Sequence, residues 1–333
     1  MINTLTIFHY HLLTGGITQV VTASLSALLG SGEDPMITRL RLVCGVEEHV
    51  EEVRGRIRAA ADAAGRESVE VETDIVPELR YVSEMEEFPA PEAIEELLLS
   101  RFGEDIWWIH NYHLGKNPPF TEALLRIADG HPEQRMVLHI HDFPESGRFD
   151  NLELLYSRLS QPWYPTGNNI RYAVINGRDY SILREAGVPE PQLFLLDNPV
   201  APKKQPAASN IGSTAGSAAE SETGAAGQAS AAEEYEENQS PASTIRDYCS
   251  ADSAYWEEGG KLALYPVRTI RRKNVLEAGL IARLLPRPVN LLVTLPGVSA
   301  QQREYSDFVE QCFAEKLIPG AFPMGTFLDD MGI

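Results

Sequence analysis

Three short apolar runs in this chain each end in closely spaced histidines: "IFHYHLLTGG" at 7–16, "WWIHNYHLGK" at 107–116 and "VLHIHDFPE" at 137–145. Together they hold six of the eight histidines. An imidazole can ligate a metal, carry a proton or hydrogen-bond a substrate hydroxyl. In His139-Ile-His141 the i and i+2 side chains of a strand point the same way and can share one zinc. A catalytic zinc then needs a third ligand, which His9, His11, His110 or His113 could supply. No further Asp-His completes the H-x-H-x-D-H pattern of metal hydrolases. Polar contact with a substrate is therefore the preferred reading and no bound metal is expected, with burial without function as the other alternative.

Two further stretches point to anions. "TGG", Thr14 to Gly16, follows a strand-like run and opens a helix, where adjacent glycines admit a ligand to the backbone and free N–H groups suit a phosphate. It is not the G-x-G-x-x-G dinucleotide fingerprint, and a plain turn is its bland reading. "RTIRRKN", Arg268 to Asn274, sets four cations within six residues of a chain whose net charge is −20. It falls between a strand end and a helix start, a place that already favours an anion. A diphosphate is the expected occupant, against the alternative of a solvated helix entry with snorkelling arginines.

These groups must be carried by something. From residue 4 to about 200, apolar runs at 4–9, 37–44, 69–76, 106–110, 136–141, 171–175 and 193–197 alternate with helical patterns. "GITQVVTASLSALLG" puts Ile17, Val20, Val21, Leu25, Leu28 and Leu29 on one helical face, with Gly30 as a stop. Residues 47–65, 91–102 and 119–129 also read as helical, and "GRDYSILREAG" reads as a short helix closed by Gly187. Such alternation predicts an α/β fold with a parallel sheet covered on both faces. In such sheets ligands bind outside the carboxyl ends of the strands, so the three histidine clusters should share one edge.

Residues 203–244 are Ala, Ser, Gly and Glu with few large apolar side chains, too few to offset their ordering entropy. The reading is a first domain at 1–202, a low-complexity disordered linker at 203–255 and a second α/β domain at 256–333. That second domain has a strand at 261–266, a helix at about 273–285 and a strand at 289–295, and it is short for a domain. The acidic balance disfavours nucleic acid and anionic membranes. Cys44, Cys249 and Cys312 are few and scattered, which fits a reduced, cytoplasmic protein. Neither a signal peptide nor a membrane span is expected.

Together these stretches resemble the nucleotide-sugar glycosyltransferases of the GT-B fold, of the retaining, GT4-like type. "HYHLLTGGITQVVTASLSALL" resembles the family's first strand, Gly-Gly loop and first helix, "VLHIHDFPE" its "HD" strand end, and "LYPVRTIRRKN" the opening of its donor domain. "AVINGRDYSILREAGV" with "LLDNPV" resembles the segment before the interdomain crossing, with Asn176 where a serine is usual. The resemblance implies two Rossmann-like parallel-sheet domains and metal-independent transfer of a hexosyl unit from a nucleotide diphosphate sugar, with no other cofactor. It implies that Arg268 and Lys273, spaced R-x-x-x-x-K, clasp the donor diphosphate near Gly15 and Gly16. His141 and Asp142 would act at the transfer centre, with His11, Asn111 and His113 on the acceptor side. Nothing in 296–333 matches the family's glutamate-rich "EGFG…E" motif, so the second domain is expected to be incomplete and the chain's own activity is open. The alternatives are a non-catalytic binding or partner subunit and a GT-B-like sugar-nucleotide epimerase. Partners are otherwise a nucleotide sugar and a small-molecule or glycan acceptor; the oligomeric state is not legible.

Overall fold

A computed structural model describes residues 3–31, 37–146, 148–199, 246–247, 249, 255–297 and 300–322. Contacts divide the chain into two compact units, Met1–Ile211 and Gly212–Ile333. The linker expected at 203–255 lies outside the described residues except at 246, 247, 249 and 255.

In the first unit the apolar runs become strands β1 (Thr4–Phe8), β2 (Arg39–Cys44), β3 (Glu70–Ile75), β4 (Ile106–His110), β5 (Met136–Ile140), β6 (Ile170–Val174) and β7 (Leu193–Leu195). They form one sheet in the order β3-β2-β1-β4-β5-β6-β7, every pair parallel. Between them run α1 (Gly16–Gly30), α2 (Val50–Ala63), α3 (Pro91–Phe102), α4 (Pro118–Gly130), α5 (Phe149–Arg158) and α6 (Gly177–Glu185). The expected α/β class is what the chain adopts. β7 ends two residues before the expected 193–197 run does, and α5 is a helix beyond those expected.

Because side chains alternate across a strand, the sheet has two cores. Leu5, Ile7 and Trp108 face α1 and α2, meeting Val21, Leu25, Val53 and Ile57. Phe8, Trp107, Ile109, Leu138 and Ile140 face the other way, with Ile94 and Leu98 of α3, Phe120 and Leu124 of α4 and Leu183 of α6. Each such large side chain contributes about 1.5–3 kcal/mol on burial. The acidic β3 sits at the sheet edge, where Arg39 and Arg41 of β2 pair with Glu70 and Glu72. Its charges discourage further strand pairing.

Helix starts follow their capping chemistry. Asn117 caps α4 by accepting the Phe120 N–H at 2.9 Å ahead of two prolines. Asn176 caps α6 through the Asp179 N–H at 2.9 Å, the task a serine would perform there. Gly187, at φ +98, follows the end of α6 as expected.

The second unit holds β8 (Lys261–Arg268), α7 (Val275–Leu284), β9 (Val289–Leu295), α8 (Ala300–Ala314) and the two-residue β10 (Gly320–Ala321). Its parallel sheet has the order β10-β9-β8. Val275, Ala282, Leu291, Val293, Tyr305, Val309 and Phe313 form its core. Among the described residues no helix is long and apolar enough to cross a membrane. All three cysteines are buried, and none is in a disulfide among the described residues.

Candidate functional site

The strand order reverses at β1. The chain runs outward through β2 and β3, then returns to continue from β4 on the other side. A crevice opens at such a point, outside the carboxyl ends of the strands. His9 and His11 follow β1, His110 closes β4 with Asn111 and His113 just beyond, and His139, His141 and Asp142 terminate β5. The three clusters therefore lie on one edge, carried by three neighbouring strands.

Register does the fine placement. His110 and His139 are direct partners across β4 and β5, with ring centroids 5.0 Å apart. His141 returns to the same side two residues on, its ring centroid 3.9 Å from that of His139. Its Nε2 lies 3.0 Å from Nδ1 of His110. One ligand nitrogen from each of the three lies within 4.8 Å of the others. The Trp108 ring stacks on His139 at 5.8 Å. Both ring nitrogens of His139 and Nε2 of His110 are buried without a hydrogen-bond partner among the described residues. The expectation of no metal rested on the absent further Asp-His of the hydrolase pattern; of the four histidines named as possible third ligands, the fold brings His110 beside His139 and His141.

Asn111 and His113 are 4% and 0% exposed, and their hydrogen bonds hold the edge in place. Asn111 sits in the left-handed region at φ 55, donates its N–H to the His139 carbonyl and accepts the His141 N–H on its side-chain oxygen, both at 3.0 Å. His113 donates from Nε2 to the Asp142 carbonyl at 2.9 Å. Asp142 accepts from Nε of Arg148 at 3.0 Å and from its Nη2 at 2.6 Å, all on Oδ2. His11 is half-buried, its Nε2 3.0 Å from the Tyr81 hydroxyl.

Burial keeps these imidazoles neutral. It lowers His9 to about 3, aided by His11, and His141 to about 3, aided by His139. Burial lowers His139 to about 4 and holds His110 well below its ordinary value. The edge thus presents nitrogen lone pairs rather than positive charge.

Gly15 and Gly16 enter α1, which no side chain caps. Gly15 is extended, at φ 175, and a Cβ built there would meet only the Leu13 carbonyl oxygen at 3.7 Å. A Cβ on Gly16 would meet nothing within 4 Å. Neither glycine is required by the packing, so the bare backbone there is open to a ligand.

In the second unit Arg268 ends β8, Arg271–Lys273 form a single 3-10 turn, and α7 begins at Val275. The turn is anchored from below. Thr269 donates its N–H and hydroxyl to the Leu295 carbonyl at 2.8 and 2.9 Å, and the Tyr265 hydroxyl donates to the Lys273 carbonyl at 2.6 Å. The guanidinium of Arg271 lies 5.6 Å from the Tyr305 ring centroid. The cationic stretch thus occupies the expected strand-to-helix turn.

Arg148, Tyr81 and Trp108 were missed as parts of the site. Arg148 and Tyr81 reach it from loops, where no periodicity marks them. Trp108 read simply as an apolar strand residue.

No family model matches the chain. A mannosylglucosyl-3-phosphoglycerate synthase of Petrotoga mobilis is 31% identical over 96% of this chain and 56% of its own length. The chain thus spans about half the length of the curated relative it matches. Among solved structures, the N-terminal domain of trehalose-6-phosphate phosphatase from Candida albicans superposes with a TM-score of 0.41 at 15% identity, covering 93% of this chain and 69% of that one. The lipopolysaccharide outer core galactosyltransferase WaaB in its apo form gives 0.40 at 10% identity, covering 94% and 66%. Both superpositions are loose.

Proposed function

We propose that the chain belongs to a GT-B glycosyltransferase that moves a hexosyl unit from a nucleotide diphosphate sugar to a small-molecule acceptor with retention. The observation that carries this reading is the 31% identity to a named synthase along 96% of the chain. The sheet reversal at β1 and the cationic turn after β8 support it. The bond from the anomeric carbon to the phosphate oxygen breaks and a bond to the acceptor oxygen forms. The acceptor's proton leaves with the nucleoside diphosphate or to solvent.

In this reading Arg268 and Lys273 stabilise the departing diphosphate, and Gly15 and Gly16 let phosphate or acceptor approach the backbone. No metal is required on the diphosphate. His141 and Asp142 orient the reacting hydroxyls, and Asn111, His113 and Arg148 hold those two in place. The relative's name makes a glucosyl-3-phosphoglycerate the first acceptor to try.

The test is a product assay with UDP-, GDP- and ADP-hexoses and that acceptor, paired with calorimetric titration of each donor. Arg268→Ala and Lys273→Ala are each expected to lower turnover by about 10²–10³, the usual loss for a preorganised charge-stabilising donor. Turnover or donor binding unchanged in both variants would overturn the assignment.

A further inference from the structure

We propose that His110, His139 and His141 bind one divalent transition-metal ion, with zinc the expected species, between the carboxyl ends of β4 and β5. The donors sit on adjacent strands whose register fixes them: His110 opposite His139, and His141 two residues on. Their ligand nitrogens already lie within 4.8 Å of one another. Tetrahedral zinc with Zn–N of about 2.0–2.1 Å sets its nitrogens about 3.3–3.4 Å apart. The 3.0 Å between His110 Nδ1 and His141 Nε2 is close to that bite. No pair needs to close by more than about 1.5 Å, which ring rotation about the broad χ2 torsion supplies.

The second observation is polar atoms without partners. Buried side-chain nitrogens are nearly always hydrogen-bonded, and exceptions point to an ion or water. Here both nitrogens of the fully buried His139 lack partners among the described residues, and its ring is one of the three that converge. A donor set of imidazoles with no carboxylate selects zinc, copper, nickel or cobalt over magnesium or calcium. Three protein ligands leave a fourth position to water or a substrate oxygen.

This site does not depend on the transferase reading, in which cations of the second unit hold the diphosphate. Coordination through one nitrogen of His141 leaves the other as an N–H donor, so metal binding and contact with a sugar hydroxyl are compatible.

The experiment uses the 333-residue chain free of any histidine tag. Zinc is counted by elemental analysis and titrated into metal-stripped protein, with cobalt as a spectroscopic probe of the coordination. One equivalent per chain is expected, with a rise in melting temperature on adding zinc. His141→Ala, at a half-buried position, and His139→Gln should each bind at least about 100-fold more weakly and lose that rise. The paired change His49→Asn with His131→Asn removes the two surface histidines that lie beside glutamates and should leave binding intact. If His139→Gln does not fold, His141→Ala carries the test. The proposal is overturned by folded wild-type protein that takes up no zinc, by His141→Ala binding as tightly as wild type, or by binding lost with His49 and His131 instead.

Discussion

The side-chain oxygen of Asn111 accepts the backbone N–H of His141 at 3.0 Å, so a residue just past β4 sets the direction in which β5 ends. Asn111 does this from a left-handed conformation, φ 55, which asparagine tolerates better than most residues. Asn111→Ala loses the acceptor, leaves a partly buried N–H unpaired and strains the backbone, together costing about 2–4 kcal/mol. Asn111→Gly removes only the side chain and should recover about 1 kcal/mol of that. Urea denaturation followed by tryptophan emission checks both, since Trp107, Trp108 and Trp163 lie in the first unit. Equal stabilities for the Ala and Gly variants would remove the strain from this account.

His113 makes stability depend on pH with a definite sign. Burial is the largest cause that lowers it from 6.5 to about 4, against the Asp142 carbonyl and carboxylate, which raise it, and with Arg148 lowering it further. Its other ring neighbours are Tyr112, Phe143 and Tyr164. A base with a depressed folded pKa binds its proton more readily when unfolded. Its neutral form therefore supports the fold above about pH 6.5, and that support drains away as pH falls toward about 4. A fall from 6.5 to about 4 corresponds to about 3 kcal/mol. His113→Gln, which keeps a donor for the Asp142 carbonyl, should show a shallower loss between pH 7 and 4 than wild type. Parallel curves would mean that His113 does not titrate in this window.

Arg148 gives two hydrogen bonds to one oxygen of Asp142, and both side chains are mostly buried, 17% and 27% exposed. Arg148→Ala leaves that carboxylate without its cation and is expected to cost about 1–2 kcal/mol. Arg148→Lys should restore less than half, because an ammonium cannot reproduce the planar fork. Thermal melts of the three proteins decide it; full recovery with lysine would reduce the interaction to bare charge.

Much of this edge was legible because parallel sheets obey two strict rules. Alternation of apolar runs with helical faces predicted the strands, and the carboxyl-end rule gathered six histidines from three distant segments. The spacing of His139 and His141 showed that they share a side. That His110 stands beside them depends on β4 pairing with β5 in one register, a non-local fact that no single segment states. Arg148 was hidden for a related reason: it reaches Asp142 across an irregular turn, where no repeat exists to read. The positioning duty of Asn111 and His113 was also invisible, since residue type does not reveal that the loop after β4 folds inward. The linker expected at 203–255 rests on composition alone.

Gly16 offers the sharpest separation of fold from function. It is exposed, it opens α1, and a Cβ there would meet nothing within 4 Å, so the structure makes no demand for glycine. Alanine restricts the unfolded chain more and suits a helix better, so Gly16→Ala is expected to leave stability unchanged or raise it by up to about 1 kcal/mol. If phosphate or acceptor approaches the backbone here, the added methyl stands in its path and weakens binding about tenfold or more while the protein grows no less stable. Gly115→Ala is the contrasting control. At φ +66 its Cβ would be crowded by the backbone oxygen of Asn151, so that variant should lose stability outright. Melting curves and calorimetric titration with nucleotide sugars and phosphorylated acceptors, run on both variants, give the answer. A Gly16→Ala protein that is stable and binds every ligand as tightly as wild type would reduce the Gly-Gly pair to a plain turn.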